Sequence, residues 1–158
     1  MNYNIQLSQD KKAFAMAAAL MSISEPWITL KMDKDQCIKA FEGEFKEVYL
    51  LHVEAEFAGF IILQTQGSFK GYIQTICIHP SYRGKGFGTK LFEFCEAIIL
   101  KYSPNIFICV SSFNKEAFKL YNKLGFIKVG ELPNFVKQGY TEILLRKTIG
   151  PILGYTSK

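Results

Sequence analysis

Histidine is scarce in this chain, with two in 158 residues, and the four cysteines at 37, 77, 95 and 109 form no C-x-x-C pair. A zinc site is therefore not expected, and no other metal is called for. Reduced thiols in a cytoplasmic setting are the expectation. Long apolar runs are missing too. The longest, Ala13 to Met21, is less than half of the roughly 20 residues that span a bilayer. The basic residues before it are followed by no small-residue cleavage site, so it does not read as a signal peptide, and no membrane partner is expected. Nor is there a block of one charge. Lys and Arg number 19 against 14 acids, and the net +5 is scattered. That balance suits a small anionic ligand better than nucleic acid, although ordinary surface lysines account for it equally well. No repeat, low-complexity segment or linker divides the chain.

Aromatics are plentiful, with 14 Phe and 8 Tyr, and 49% hydrophobic against 21% charged content is that of a globular protein. One domain over residues 1–158 is expected, with a core from about 5 to 147 and a C-terminal tail from 148 to 158. The pattern predicts a helix from Ser8 to about Ser22, capped by Ser8, and a second from Lys34 to Phe41. Three strands follow, at Glu47–Glu54, Phe57–Gln64 and Tyr72–His79, as an antiparallel meander. The first turn, near Ala55-Glu56, lacks the usual Gly or Asn. A strongly periodic helix over 88–102 carries Leu91, Phe94, Cys95, Ile98 and Tyr102 on one face. Ile106–Val110 reads as a strand buried on both faces. A helix capped by Asn114 precedes two last strands, Phe126–Glu131 and Tyr140–Lys147. Strand 72–79, helix 88–102 and strand 106–110 form a right-handed parallel βαβ unit.

The stretch YIQTICIHPSYRGKGFGT, Tyr72 to Thr89, organises the rest. Its strand stops at Pro80, and glycines fall at 84, 86 and 88 just before the periodic helix. Such a turn exposes backbone N–H groups at the positive end of a helix dipole, a site for phosphate or pyrophosphate. Spacing removes two owners of such loops. No Gly-Lys-Ser/Thr follows at the distance a P-loop needs, and G-x-G-x-G is not the G-x-G-x-x-G of a Rossmann turn.

Arg83-Gly84-Lys85-Gly86-Phe87-Gly88 resembles the acetyl-CoA signature Q/R-x-x-G-x-G/A of the GNAT superfamily of N-acetyltransferases. Asn114 to Phe126, NKEAFKLYNKLGF, resembles the second signature of that superfamily. The likeness runs from about Ile5 to Lys147, and the chain somewhat resembles the ribosomal-protein N-terminal acetyltransferase branch. It implies an α/β fold: a mixed, mostly antiparallel sheet of seven strands or fewer, a splayed parallel pair and about four helices. It also implies acetyl-CoA as co-substrate and a primary amine, small or at a peptide N-terminus, as acceptor. A homodimer is one expectation for its assembly, and the sequence leaves the oligomeric state open.

By this resemblance, backbone N–H groups from Arg83 through Gly84, Lys85, Gly86, Phe87 and Gly88 to Thr89 hold the CoA pyrophosphate, with Arg83 and Lys85 adding charge. Ile76 and Ile78 pair with the pantetheine arm, and an N–H near Cys77 or Ile78 faces the thioester oxygen. Asn114 lies against the pantetheine, and Tyr121, seven residues on, donates to the leaving thiolate as general acid. On spacing alone, Asn114 is equally a plain cap and Tyr121 a core aromatic. The general base has no direct counterpart, because Gln74 and Cys109 stand where relatives carry Glu. Glu54, His79 and Glu142 remain as bases acting through water. Trp27, Glu54, Phe135 and Tyr140 are candidates for the acceptor site, with Glu25 or Glu131 to attract a cation. Direct attack is expected rather than an acetyl-cysteine, since Cys77 and Cys109 sit in apolar strands. A CoA-binding module without catalysis and a transferase of longer acyl groups are the alternatives.

Overall fold

The computed structural model describes residues 1–157. Seven strands form one sheet, in the order β1-β2-β3-β4-β5-β7-β6. They are β1 (Tyr3–Ser8), β2 (Lys46–Val53), β3 (Glu56–Gln64), β4 (Tyr72–Ile78), β5 (Asn105–Ser111), β6 (Ile127–Pro133) and β7 (Thr141–Thr148). The helices are α1 (Lys11–Ser22), α2 (Lys34–Cys37, continued by a 3-10 turn over Ile38–Phe41), α3 (Phe87–Ile99) and α4 (Lys115–Lys123). All pairings are antiparallel except β4 with β5. The α/β class and the mixed sheet are as expected.

The N-terminus corrects the sequence reading. Tyr3–Ser8 is a strand on β2, so the meander has four strands, and α1 starts at Lys11. Asp10, not Ser8, caps α1 by accepting from the Lys12 N–H at 3.0 Å, while Ser8 Oγ accepts from the Asp10 N–H. The turn between β2 and β3 places Glu54 and Ala55 both at positive φ, 49° and 69°. Two such residues make the hairpin turn that matches strand twist, here without glycine or asparagine. The tail from Ile149 is tethered, through the Ile149 N–H to the Pro104 carbonyl and the Tyr155 hydroxyl to that of Leu100.

Each sheet face carries its own core. On one, α3 and α4 bury Leu91, Phe92, Cys95, Ile99 and Tyr121 against Leu51, Ile61, Ile73, Ile106, Ile108 and Leu145. On the other, α1 and α2 bury Ala17, Ala18, Met21 and Cys37 against Val48, Leu50, Phe60 and Ile62. Strand alternation therefore sends Ile143 and Leu145 to the α3/α4 face and Glu142 to the opposite one.

Two irregularities open the sheet at its centre. Thr75 pairs with Ile62 and Ile73 with Leu63, so Gln74 is an extra residue in β4, a bulge. Parallel pairing of β4 with β5 covers only Tyr72 with Phe107 and Ile73 with Ile108. Beyond the bulge the two strands separate, although β4 runs to Ile78 and β5 to Ser111. Gly71 fixes the start of this pair. Its φ is +89°, and its carbonyl accepts from the Phe107 N–H at 3.1 Å. A Cβ there would lie 2.4 Å from the Asn105 carbonyl oxygen.

Gly67, at φ +96°, has open space where a Cβ would go. Gly71→Ala is expected to lower unfolding free energy by roughly 3 kcal/mol or more, because backbone must move as well as strain. Gly67→Ala is expected to cost only about 1–2 kcal/mol. Urea titrations of the two variants check the difference.

Candidate active site

A cavity of about 880 Å³ occupies the opening between β4 and β5. From one end it is lined by the glycine turn, with Arg83, Gly84, Gly86, Phe87, Gly88 and Thr89. Its middle is lined by Ile76, Cys77 and Ile78 on β4 and by Cys109, Val110 and Ser111 on β5, all beyond the last paired residues. Asn114 and Tyr121 close it on the α4 side. Glu142, Gln74, Tyr72 and the loop residues Trp27, Leu30, Met32 and Phe135 close it on the other. Because Tyr121 belongs to one core face and Glu142 to the opposite one, the cavity passes through the sheet.

The turn is shaped by backbone conformation. Gly84 and Gly86 have φ of 72° and 84°, and a Cβ at either would meet nothing within 4 Å. Gly86 caps α3, whose first-turn N–H groups have no helical acceptor. Phe87, although part of the lining, packs its ring into the core, edge-on to Tyr3 and Tyr82.

The charged side chains of the turn make contacts of their own. Arg83 Nε donates to the Ile78 carbonyl at 2.8 Å and its Nη2 to Ser24 Oγ at 2.9 Å. The guanidinium thus braces the end of β4 against the end of α1. Lys85 extends over the Tyr82 ring, 5.8 Å from its centroid. Asn114 caps α4 through the Ala117 N–H at 3.4 Å while also lining the cavity. Tyr121 is 7% exposed, edge-on to Phe126.

Several candidates are not brought together. Glu54 sits in the β2–β3 turn, accepting from the Asn2 N–H at 2.8 Å, away from the cavity. His79 Nδ1 accepts from the Ser81 N–H at 3.1 Å and holds the 3-10 turn after β4. Glu131 pairs with Lys128 on the exposed edge strand β6. Tyr140 is not in the lining. Its hydroxyl donates to the Thr29 carbonyl at 3.4 Å, and Lys137 Nζ donates to that of Leu30. These bonds tie the β6–β7 loop to the α1–α2 loop, so Trp27 and Phe135 share one rim. Glu25 lines the cavity with both carboxylate oxygens engaged by the Thr29 hydroxyl. Gln74 donates from Nε2 to the Ala40 carbonyl at 2.9 Å, linking the bulge to the turn after α2.

A family model described as the Acetyltransferase (GNAT) family matches residues 13–126, well over half of the chain. The protein belongs to the GNAT family. Two solved acetyltransferases share the fold. The ribosomal-protein-S18-alanine N-acetyltransferase from Escherichia coli superposes with a TM-score of 0.75 at 18% identity, covering 95% of this chain and 96% of that one. An aminoglycoside 6'-N-acetyltransferase complexed with coenzyme A gives 0.72 at 19%, covering 96% and 98%. An uncharacterized protein of Mycobacterium leprae, ML0378, is 30% identical over 103 residues, which span 61% of this chain but 28% of that longer relative.

The cavity fits acetyl-CoA, the acyl donor that the sequence resemblance implies. The glycine turn offers bare backbone next to the N-terminus of α3, a cradle for a pyrophosphate. The unpaired edges of β4 and β5 leave a slot for an extended arm. Bound there, acetyl-CoA would supply an activated acetyl group. Among the described residues no group of three or more His, Cys, Asp and Glu side chains could hold a metal ion.

The sequence reading undervalued the side opposite Tyr121. Glu142 is 6% exposed, and Ser111 Oγ donates to its Oε2 at 2.7 Å. The two residues are partners in the β5–β7 register, a pairing that no local pattern reveals. Burial pushes the Glu142 carboxyl above its usual range, and the Ser111 hydrogen bond draws it part of the way back. Burial likewise raises the thiols of Cys77 and Cys109 and the Tyr121 hydroxyl. Neither cysteine is thus poised as a thiolate.

A carboxyl whose folded pKa exceeds its unfolded one loses stability as pH rises through that window. Glu142→Gln, which keeps an acceptor for Ser111, should therefore raise Tm by a few degrees at pH 8 and leave it nearly unchanged at pH 4. Scanning calorimetry at the two pH values checks the sign.

Proposed function

We propose that the protein transfers acetyl from acetyl-CoA to a primary amine by direct attack, with donor and acceptor held together in the cavity. One observation carries this reading: the cavity runs from the glycine turn, through the break between β4 and β5, past Tyr121 to a rim of apolar side chains. Backbone N–H groups of Gly84 to Thr89 would bind the pyrophosphate. Ile76 and Ile78 would offer their unpaired strand edge to the pantetheine arm, with Asn114 beside it. An N–H near Cys77 or Ile78 would stabilise the negative charge that grows on the thioester oxygen during attack.

Burial raises the pKa of the Tyr121 hydroxyl, which makes it a weaker acid but keeps it protonated at neutral pH, as a hydrogen-bond donor to the departing sulfur. In this reading Arg83 supports the turn mechanically rather than by charge. The acceptor enters on the opposite sheet face, between Trp27, Leu30, Met32 and Phe135. These side chains favour an amine carrying an apolar group, whether a small molecule or a peptide N-terminus. Four free cysteines accord with a reducing, cytoplasmic setting.

A panel of aromatic and aliphatic amines, aminoglycosides and short peptides, assayed for CoA release, tests the reaction. Turnover of at least one amine is expected, with Tyr121→Phe lowering kcat by about 10- to 100-fold. CoA affinity should stay within about threefold, since the hydroxyl acts on the leaving sulfur. CoA binding with no turnover across the panel would favour a binding module without catalysis. Faster transfer from propionyl- or butyryl-CoA would favour a longer acyl group.

A further inference from the structure

Resting on the acetyl-transfer reading, we propose that Glu142, oriented by Ser111, is the base that removes the acceptor's proton, and that the acceptor nitrogen binds between Glu142 and Tyr121. Neither position at which relatives carry a base serves here. Gln74 has no basic atom and spends its amide on the Ala40 carbonyl. Cys109 is held as a thiol by burial. Glu142 reaches the same space from β7. It is buried, its side chain points to the sheet face opposite Tyr121, and both residues line the opening between β4 and β5.

The geometry leaves one carboxylate oxygen for the substrate. Oε2 accepts from Ser111, which fixes the carboxyl plane. The neighbours of Glu142 leave it without a fixed cation. On β5 it faces Ser111 and Cys109, on β4 Tyr72, and on β6 Leu132 is its register partner. The charged groups that line the same cavity are Glu25, Lys39 and Arg83. Glu25 is engaged by Thr29 and Arg83 by Ile78 and Ser24, while Lys39, an exposed residue, makes no ion pair with Glu142. Arg146, further along β7, is held by Asn105 at 2.7 Å. A buried carboxylate with no cation of its own is suited to receive one, and an ammonium is such a partner.

The proton count closes. The acceptor ammonium gives one proton to the Glu142 carboxylate, and its freed lone pair forms the C–N bond as the C–S bond breaks. The second N–H proton reaches the departing sulfur by way of the Tyr121 hydroxyl. Free CoA, the amide and a protonated Glu142 result, and Glu142 then returns its proton to solvent. The raised carboxyl pKa brings the base nearer to the amine. The gap that remains is smaller for an α-amine, with pKa about 7.7–8.0, than for a lysine side chain at about 10.4.

The test combines kinetics with a direct titration. In wild type, kcat should fall at acid pH with an apparent pKa above the ordinary glutamate value. Glu142→Gln should lose at least about 100-fold in kcat and lose that limb, with CoA affinity and folding retained. Ser111→Ala, a positioning change, should move the limb to higher pH, because it removes the hydrogen bond that favours the carboxylate. Carbon-13 NMR of δ-labelled glutamate should show one carboxyl titrating at that same pH, absent in Glu142→Gln and shifted upward in Ser111→Ala. Glu142→Gln with kcat within twofold of wild type and the limb intact would overturn the role of Glu142 alone. A Glu142 carboxyl that titrates in the ordinary range and ignores Ser111→Ala would do the same, even if Glu142→Gln failed to fold. No turnover of any amine by wild type that still binds CoA would overturn the transfer reading and this assignment with it.

Discussion

β4 and β5 make two residue pairs and then part, and everything at the site depends on that failure to pair. A parallel pair buried between helices would ordinarily continue hydrogen bonding to the ends of both strands, since unpaired backbone there is costly. Here the extra residue Gln74 shifts β4 out of step immediately after Ile73. The bulge is held from outside the sheet by the bond from Gln74 to the Ala40 carbonyl. On the far side, Arg83 ties the Ile78 carbonyl to Ser24, so the free end of β4 is anchored to α1 and not to β5. The opening is thus built into the fold.

An opening through a sheet joins two chemically different faces. The α3/α4 face brings a helix N-terminus, bare glycine backbone and a buried tyrosine, which together suit a phosphate-bearing donor and its leaving group. The α1/α2 face brings apolar loop side chains and a buried carboxylate, which suit an amine. Two strand edges with free backbone groups lie between them. In the proposed reaction the reacting carbon sits where the faces meet, beneath the rim that the two loops form. The bonds from Lys137 and Tyr140 to the Leu30 and Thr29 carbonyls hold that rim together.

That the glycine turn, Asn114 and Tyr121 belong to one site was legible in the sequence because the signals are local. Glycines at 84, 86 and 88 and the pair Asn114 and Tyr121 are each read within one turn or one helix. The acceptor side was not legible in the same way. Glu142 meets Ser111 only through the register of β5 with β7, and Glu54 and His79 lay near the right strands yet point elsewhere. β1 escaped notice because Ile5 is the only apolar side chain along it that packs inward, too little to mark a strand beside a strong helix pattern. The turn at Glu54 and Ala55 hid for a related reason. Its left-handed conformation is imposed by the hairpin rather than invited by its residues.

The central claim is that the gap between β4 and β5 is a slot for the donor's extended arm. Hydrogen exchange of the backbone amides from Gln74 to Ile78, measured with and without CoA, tests it most directly. The account predicts that CoA slows exchange in this segment and in Gly84 to Thr89 together, while the already paired Tyr72 and Ile73 change little. Protection confined to the glycine turn, with the β4 amides unaffected at saturating CoA, would contradict it.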